Sequence, residues 1–369
     1  MTFPLRVPAP ILPGTAARGR DDGHDDPPAQ DARLMRALVC ESWREFDALE
    51  LKDVPPPPLR PGGVRIRVEA AGVSFATQLV VAGKYQRKPP LPFTPGTEIA
   101  GTVIESAPDV PDPLPPGTRV FAVLDWGGLA EEAVADSIHV VPIPDGLPLA
   151  PAVAMPISYP TAGAALLWRA RLEPGQWVLV HGAAAGVGLA GVEIARALGA
   201  RVIARCGAAK RQVPESRGAD LVLDSAQPFR DAVREATGGA GVAAVLDTLG
   251  GPVFDDNLRC LGDGGVLVTV GFAAGGIPTL PINLLLLKNI AVAGLNWGTY
   301  VGWSPGDNRH LHAPRARALW GQLVEWWAAG ALRPEVHAGF PLSRFREAMA
   351  EVRGRHAVGR VVLRPGEDA

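Results

Sequence analysis

Two different rhythms of apolar and polar residues divide this chain. Val64, Ile66, Val68 and Ala70 alternate with Arg65, Arg67 and Glu69, the period-two pattern of a strand with one buried and one wet face. Further strands are expected over 35–42, 48–54, 98–106, 118–124 and 139–142. Breakers separate them: Pro55–Pro58, Pro61-Gly62-Gly63 and Pro115-Pro116-Gly117. Up to about residue 157 the chain therefore reads as an all-β unit with irregular connections.

Beyond that point short, nearly continuous apolar runs alternate with helical patterns. Strands are expected over 176–181, 201–206, 220–224, 242–247, 265–270 and 289–295, with helices over 187–198, 209–217, 229–237 and 254–261. Pro214 weakens the 209–217 helix. Unbroken apolar strands between helices indicate a parallel sheet covered on both faces. Helices over 314–329 and 343–352 and a last strand over 359–363 close the chain. Trp320, Trp326 and Trp327 are read as packing residues, because aromatics at helical spacing face a core. The fold class is thus α/β, a β domain plus a doubly wound parallel sheet.

Composition changes this picture in five places. The 369 residues include 43 Gly and 37 Pro, but these punctuate periodic segments, so the chain is turn-rich rather than of low complexity. A formal net charge of −2 argues against an electrostatic nucleic-acid binder. Cys40, Cys206 and Cys260 lie far apart and form neither a disulfide framework nor a CxxC metal pair, which suits a reducing, cytoplasmic setting. The uncharged stretch 264–287 is long enough for a membrane span, but Gly271, Gly275, Gly276, Pro278, Pro281 and Asn283 make it a strand, loop and helix entry instead. Residues 1–34, with four early prolines and mixed charges, are expected to be a disordered tail or a misassigned start.

The first strand of the parallel unit runs into His181-Gly182-Ala183-Ala184-Ala185-Gly186-Val187-Gly188 and then a helix. Small residues at a strand-to-helix turn let backbone N–H groups approach a pyrophosphate, and the helix N-terminus adds partial positive charge. The spacing is GxxxGxG rather than GxGxxG; its place in the first βα unit is what makes Gly182, Ala183, Ala184, Gly186, Val187 and Gly188 a dinucleotide turn. The second strand ends with Arg205, Lys210 and Arg211 nearby and no acid to accept from a ribose 2′-OH. That favours a 2′-phosphate, hence NADPH.

With these residues in view, the chain resembles the medium-chain dehydrogenase/reductase superfamily, and within it the zinc-independent quinone oxidoreductases related to zeta-crystallin. The carriers are Ala71-Gly72-Val73-Ser74-Phe75, Gly83-Lys84-Tyr85, Leu91 through Gly101, the Gly-rich turn, Asn283 through Asn289, and Gly359-Arg360-Val361-Val362-Leu363. The resemblance implies a GroES-like catalytic domain over 35–157 and 301–366, a Rossmann NADP-binding domain over 158–300, a cleft between them, and a homodimer joined near 290–295. It implies that Tyr85 donates a hydrogen bond to the reacting substrate, and that Thr161 lies at the cleft with Ser74. Gly271, Phe272 and Ala273 are implied to lie beside the nicotinamide, with Asn283, Asn296, Trp297 and Gly298 in the loops that close over it. Zinc-dependent relatives carry Cys at the position of Ser74 and His at that of Thr97, so no metal is expected and Glu98 is left a structural hydrogen-bond or salt-bridge role. Many relatives also have Asn for Ser74 and Asp for Thr77, so this pocket has shorter, uncharged groups. Trp126 reads equally as pocket wall or as cover of the β domain.

The expected activity is NADPH-dependent reduction of a small-molecule quinone or related enone, with no nucleic acid or membrane partner. A 2-enoyl-thioester reductase and a non-enzymatic NADPH-binding protein are the alternatives.

Overall fold

The computed structural model describes residues 33–304 and 306–368, so the tail expected over 1–34 lies outside the described residues apart from its last two positions. The strands are β1 (Met35–Val39), β2 (Glu50–Val54), β3 (Gly63–Val73), β4 (Glu98–Ser106), β5 (Arg119–Val123), β6 (Glu132–Asp136), β7 (Val140–Pro142), β8 (Trp177–His181), β9 (Arg201–Cys206), β10 (Leu221–Asp224), β11 (Val242–Asp247), β12 (Leu261–Thr269), β13 (Ala291–Gly294), β14 (Val336–Pro341) and β15 (Arg360–Arg364). The helices are α1 (Phe75–Val81), α2 (Leu149–Ala152), α3 (Ser158–Gly163), α4 (Gly186–Ala197), α5 (Gln212–Ser216), α6 (Arg230–Ala236), α7 (Phe254–Cys260), α8 (Ile282–Lys288), α9 (Arg309–Ala328) and α10 (Phe345–Arg353).

A mixed sheet of order β14-β15-β3-β4-β5-β7, with β6 also on β3, joins strands from early and late in the chain. Its centre is β3, where Val64, Ile66 and Val68 are buried and Arg67 and Glu69 exposed, as their alternation requires. β15 returns to pair antiparallel with β3, matching Val361 to Val73 and Leu363 to Ala71. The six-stranded sheet has order β10-β9-β8-β11-β12-β13 with every pair parallel. This is the doubly wound order, whose switch point lies between β8 and β11 at the strands' carboxyl ends.

Both faces of that sheet are covered, which explains why its strands are almost wholly apolar. Val178, Val180, Val202 and Ala204 face a core shared with α3, α4 and α9, whereas Leu179, Ile203 and Val245 pack with Phe229, Phe254 and Leu258. The first of these cores also takes in Phe121 and Val123 of β5, so it runs from one sheet to the other.

Several elements depart from the expected pattern. Pro214 opens α5 instead of breaking it, because it stands in the first turn, where no backbone N–H is needed. α9 begins at Arg309, with Pro314 inside it. β6, β14 and α1 are additional to the expected elements. Among the described residues no helix is long and apolar enough to cross a membrane; the uncharged stretch 264–287 contains the end of β12, a loop and most of α8.

Candidate active site

The turn between β8 and α4 is built by close approach. Gly182 has φ +64, and a Cβ at Gly188 would lie 2.2 Å from the Gly182 carbonyl oxygen. Only glycine at both places lets the helix start so near the strand end. Ala183 and Ala184 are buried beneath it, and Thr248 Oγ1 donates to the His181 carbonyl at 3.2 Å. No side chain caps α4. The Gly186 N–H reaches the Gly359 carbonyl at 3.3 Å, and the Gly359 N–H reaches the Ala184 carbonyl at 3.2 Å, so the start of β15 braces the turn. A turn bare of side chains at Gly186, beside a helix N-terminus that no side chain caps, fits a dinucleotide pyrophosphate.

Arg205 corrects one expectation. It shares a row of the sheet with His181, so its side chain leaves the face that α6 and α7 cover. It is 2% exposed, with Nη2 donating to the Ser225 and Gln227 carbonyls at 3.0 Å each and the guanidinium 4.0 Å from the Phe229 ring centre. Buried there, it cannot meet a 2′-phosphate. Lys210 Nζ instead holds the carbonyls of Arg355 and Ala357, the latter at 2.9 Å, while Arg211 Nε pairs with Glu215 at 2.6 Å. Arg355, which the sequence reading missed, donates to the Ala273 carbonyl at 3.0 Å and stands exposed in the same loop. Three surface cations, Lys210, Arg211 and Arg355, therefore stand on the loops after β9 and α10, which Lys210 ties together.

His181 is fully buried between partners on both ring nitrogens: Asn257 Oδ1 lies 2.7 Å from Nε2 and Arg205 Nη1 lies 3.4 Å from Nδ1. A neutral imidazole protonated on Nε2 satisfies both contacts. Burial, with Arg205 adding to it, lowers its pKa to about 4.

Gly271, Phe272 and Ala273 follow β12, and the Ala273 N–H bonds the Thr248 carbonyl at 3.2 Å, so this loop lies against the segment after β11. Phe272 is exposed, as are Asn283 on α8 and Asn296. Asn296 Oδ1 accepts from the Gly298 N–H at 3.0 Å and so caps the turn that follows it. Trp297 is a second correction. It is buried, stacks on Tyr300 at 5.4 Å and donates to the Pro156 carbonyl at 3.2 Å, so it packs the core rather than a cofactor.

On the β-domain side a cavity of about 470 Å³, its open mouth included, is lined by residues of α1, the loop after it, and the segments at Thr97 and Asp125. Tyr85, Thr77, Thr97 and Trp126 all line it, and Trp126 also packs against the β-domain core, so it serves as both pocket wall and cover. Burial pushes the Tyr85 hydroxyl above its ordinary pKa, so it stays protonated. Ser74 is the N-cap of α1: its Oγ lies 3.1 Å from Thr77 Oγ1, and Thr77 Oγ1 accepts the Ser74 N–H at 3.2 Å. Thr161 is buried, gives its hydroxyl to the Ile157 carbonyl at 2.6 Å and is not among the lining residues. Of the three expected catalytic residues, the cavity therefore contains Tyr85, reaches Ser74 through its cap partner, and leaves Thr161 apart. Arg87 and Trp303 also line it; an arginine in a proline-rich loop and a tryptophan outside any helix gave no pattern to read.

Glu98 is 2% exposed and ion-paired with Arg360 of β15. Gly72 leaves room for it, since a Cβ there would lie 2.4 Å from Glu98 Oε1. Among the described residues no group of three or more His, Cys, Asp or Glu side chains could hold a metal ion.

A doubly wound sheet with a glycine cradle at its switch point, joined to a β domain with an apolar cavity, is the architecture of a nicotinamide-dependent dehydrogenase or reductase. Comparison with known proteins makes this specific. The family profile of the alcohol dehydrogenase GroES-like domain matches residues 60–145, and that of the zinc-binding dehydrogenases matches 186–309. Quinone oxidoreductase-like protein 2 of Rattus norvegicus is 37% identical over 335 residues, 90% of this chain and 93% of the relative. The quinone oxidoreductase of Homo sapiens is 30% identical over 340 residues, 91% of this chain and 99% of the relative. The solved quinone oxidoreductase of Thermus thermophilus, also determined in complex with NADPH, superposes with a TM-score of 0.74 at 33% identity, covering 89% of this chain and 100% of that one. The chain belongs to the medium-chain dehydrogenase/reductase superfamily, among its quinone oxidoreductase-like members, and is an oxidoreductase.

Proposed function

We propose that this oxidoreductase is a zinc-independent, NADPH-dependent reductase of quinones or related α,β-unsaturated carbonyl compounds. The observation that carries the reading is the cavity: a half-buried phenol at Tyr85 among apolar walls, with hydroxyls at Thr77 and Thr97 and Ser74 behind Thr77. A catalytic zinc takes three protein ligands drawn from thiolate, imidazole and carboxylate; the two acids near the cavity, Asp125 and Glu98, are ion-paired, Asp125 with Arg87 and Arg309 and Glu98 with Arg360. Without a Lewis acid to ionise an alcohol, reduction of an already electron-poor acceptor is the chemistry this donor set serves.

When bound, NADPH supplies a hydride from C4 of its nicotinamide. The turn from Gly182 to Gly188 and the α4 N-terminus hold the pyrophosphate. Lys210, Arg211 and Arg355 attract the 2′-phosphate; two of the three Lys210 N–H groups already bond carbonyls, which aims the remaining one. Gly271, Phe272 and Ala273 border the nicotinamide, with Asn283, Asn296 and Gly298 in the loops beyond. Tyr85, kept neutral by burial, donates to the oxygen that gains charge, and either it or water delivers the proton.

The protein is a homodimer in this reading. β13 is an edge strand with an open side, and on the adjacent α8 Ile282, Leu286 and Leu287 are 73%, 80% and 74% exposed. All three cysteines are free and buried, in keeping with a reducing compartment such as the cytoplasm. The test is an acceptor screen following NADPH consumption with 1,4-naphthoquinone, 2-cyclohexen-1-one and a short enoyl-CoA, with NADH and a chelator as controls. Naphthoquinone or the enone should be reduced faster than the thioester, with NADPH preferred and chelator without effect. Consumption with the thioester alone, or with none, refutes the reading.

A further inference from the structure

Tyr85 lies in a segment that its own main chain barely holds. The N–H groups of Lys84 and Tyr85 reach the Leu79 carbonyl near the end of α1 at 2.8 and 3.1 Å, and Phe93 exchanges bonds with Cys40. From residue 86 to 92 no main-chain hydrogen bond is made among the described residues. Alternation persists all the same: Tyr85, Arg87 and Pro89 line the cavity, while Lys84, Gln86 and Lys88 are exposed. What fixes the segment is a side chain. Arg87 Nη2 holds Asp125 Oδ1 at 2.8 Å, and the guanidinium lies over Trp126 with the ring centre at 5.2 Å. Asp125 stands just beyond β5, and the same oxygen takes a second guanidinium, Arg309 Nη2 at the start of α9, also at 2.8 Å. Arg309 is buried and held in turn by Asp307, whose two carboxylate oxygens lie 2.8 and 3.0 Å from Nε. Gly302 leaves room for that pair, since a Cβ there would lie 2.4 Å from Arg309 Nε, and its neighbour Trp303 lines the cavity. One carboxylate thus ties three walls together: the Tyr85 segment, the Asp125-Trp126 segment and the connection from Gly302 to Arg309. The lining itself is almost wholly apolar, so these charges are anchors of the wall, not contacts for a substrate.

We propose that Asp125 is a positioning residue for the reduction, acting through Arg87 to hold the Tyr85 hydroxyl where the acceptor oxygen gains charge. The inference rests on the reductase reading above and adds to it what aims the donor. A hydrogen-bond donor lowers the barrier only if it is in place before the charge develops, and a misplacement of about 1 Å can cost about 100-fold in rate. Cutting the tie lets the segment carry Tyr85 out of register, and the loss falls on kcat because the bond to Tyr85 strengthens during reduction. Asp125 works through the hydroxyl, so once the hydroxyl is gone most of its effect goes too.

The experiment is a double-mutant cycle with NADPH and 1,4-naphthoquinone: Asp125→Asn and Arg87→Met, each alone and combined with Tyr85→Phe. Asp125→Asn keeps the side chain's shape and removes the anion that Arg87 and Arg309 share. Arg87→Met leaves Asp125 paired with Arg309, and carries the test if the asparagine variant does not fold. NADPH affinity by cofactor fluorescence and the thermal midpoint report folding. Each single variant should lower kcat about tenfold, but less than about threefold when Tyr85 is already Phe. Arg87→Lys returns a charged donor to Asp125 and should recover much of the loss. Losses of equal factor in both backgrounds, as a merely structural role would give, overturn this proposal alone, as does full activity in both single variants. A Tyr85→Phe variant with wild-type kcat overturns the role given to Tyr85, and this proposal with it. Wild-type protein that reduces neither naphthoquinone nor 2-cyclohexen-1-one overturns the reductase reading itself.

Discussion

In the proposed mechanism, Tyr85 is the residue on which the chemistry turns. Its phenol is half-buried in the cavity wall with its pKa raised by burial, so it remains a donor across the neutral range. Tyr85→Phe should lower kcat/KM for quinone and enone about 10- to 100-fold while leaving the NADPH dissociation constant unchanged, as steady-state kinetics and fluorescence titration would report. Two histidines matter for stability instead. His181 and His139 are buried, and burial holds each at about 4 against the ordinary 6.5. The unfolded chain therefore binds protons in this window that the folded chain refuses. Their contribution to stability is complete above about 6.5 and is lost as pH falls toward 4, at up to about 1.4 kcal/mol per pH unit for each. Urea midpoints measured across that range should show the loss, and His181→Gln should flatten it.

The elements that position the site were legible where periodicity is strong. Alternation identified β3, and the apolar strands between helices identified the parallel sheet and its turn. The failures have local causes. α1 carries Thr77, Val80 and Val81, β-branched residues that favour strands; its start is fixed by the Ser74–Thr77 capping box rather than by an apolar stripe. β6 reads Glu-Ala-Val-Ala-Asp, too short and too polar at its ends to stand out, and exists because β3 offers it an edge. β14 ends in Pro341 and lies at the sheet edge, where a missing N–H is tolerated. Within the candidate site, the glycine turn could be read from local sequence, whereas Tyr85 came only with the family resemblance. Arg205 could not, because one residue along a strand reverses the face it occupies. With Arg205 buried, the proposed reading assigns cofactor choice to the loops after β9 and α10. Lys210→Ala and Arg355→Ala should each weaken NADPH binding about tenfold and leave NADH binding nearly unchanged, measured by fluorescence titration.

For the molecule as a whole, the core shared by the two sheets makes residues from Leu34 onward one compact unit. Trp320 of α9 shows how: it packs edge-on against Phe121 of β5 at 6.4 Å and against Trp297, after β13, at 5.8 Å. In the proposed homodimer, the exposed leucines of α8 and the open edge of β13 form the surface that meets a second copy. Paired Leu286→Lys and Leu287→Lys should convert a dimer to a monomer in light scattering behind size exclusion; a wild type that is already a monomer refutes the interface.

The central claim, hydride transfer from NADPH to a conjugated carbonyl without a metal, is tested most directly with cofactor deuterated at C4 on the transferred face. Incubation with 2-cyclohexen-1-one should give cyclohexanone bearing deuterium at the former β-carbon, one deuterium transferred as deuteride per NADPH consumed, with or without chelator. Tight NADPH binding with no deuterated product, or product formation abolished by chelator and restored by zinc, would contradict the account.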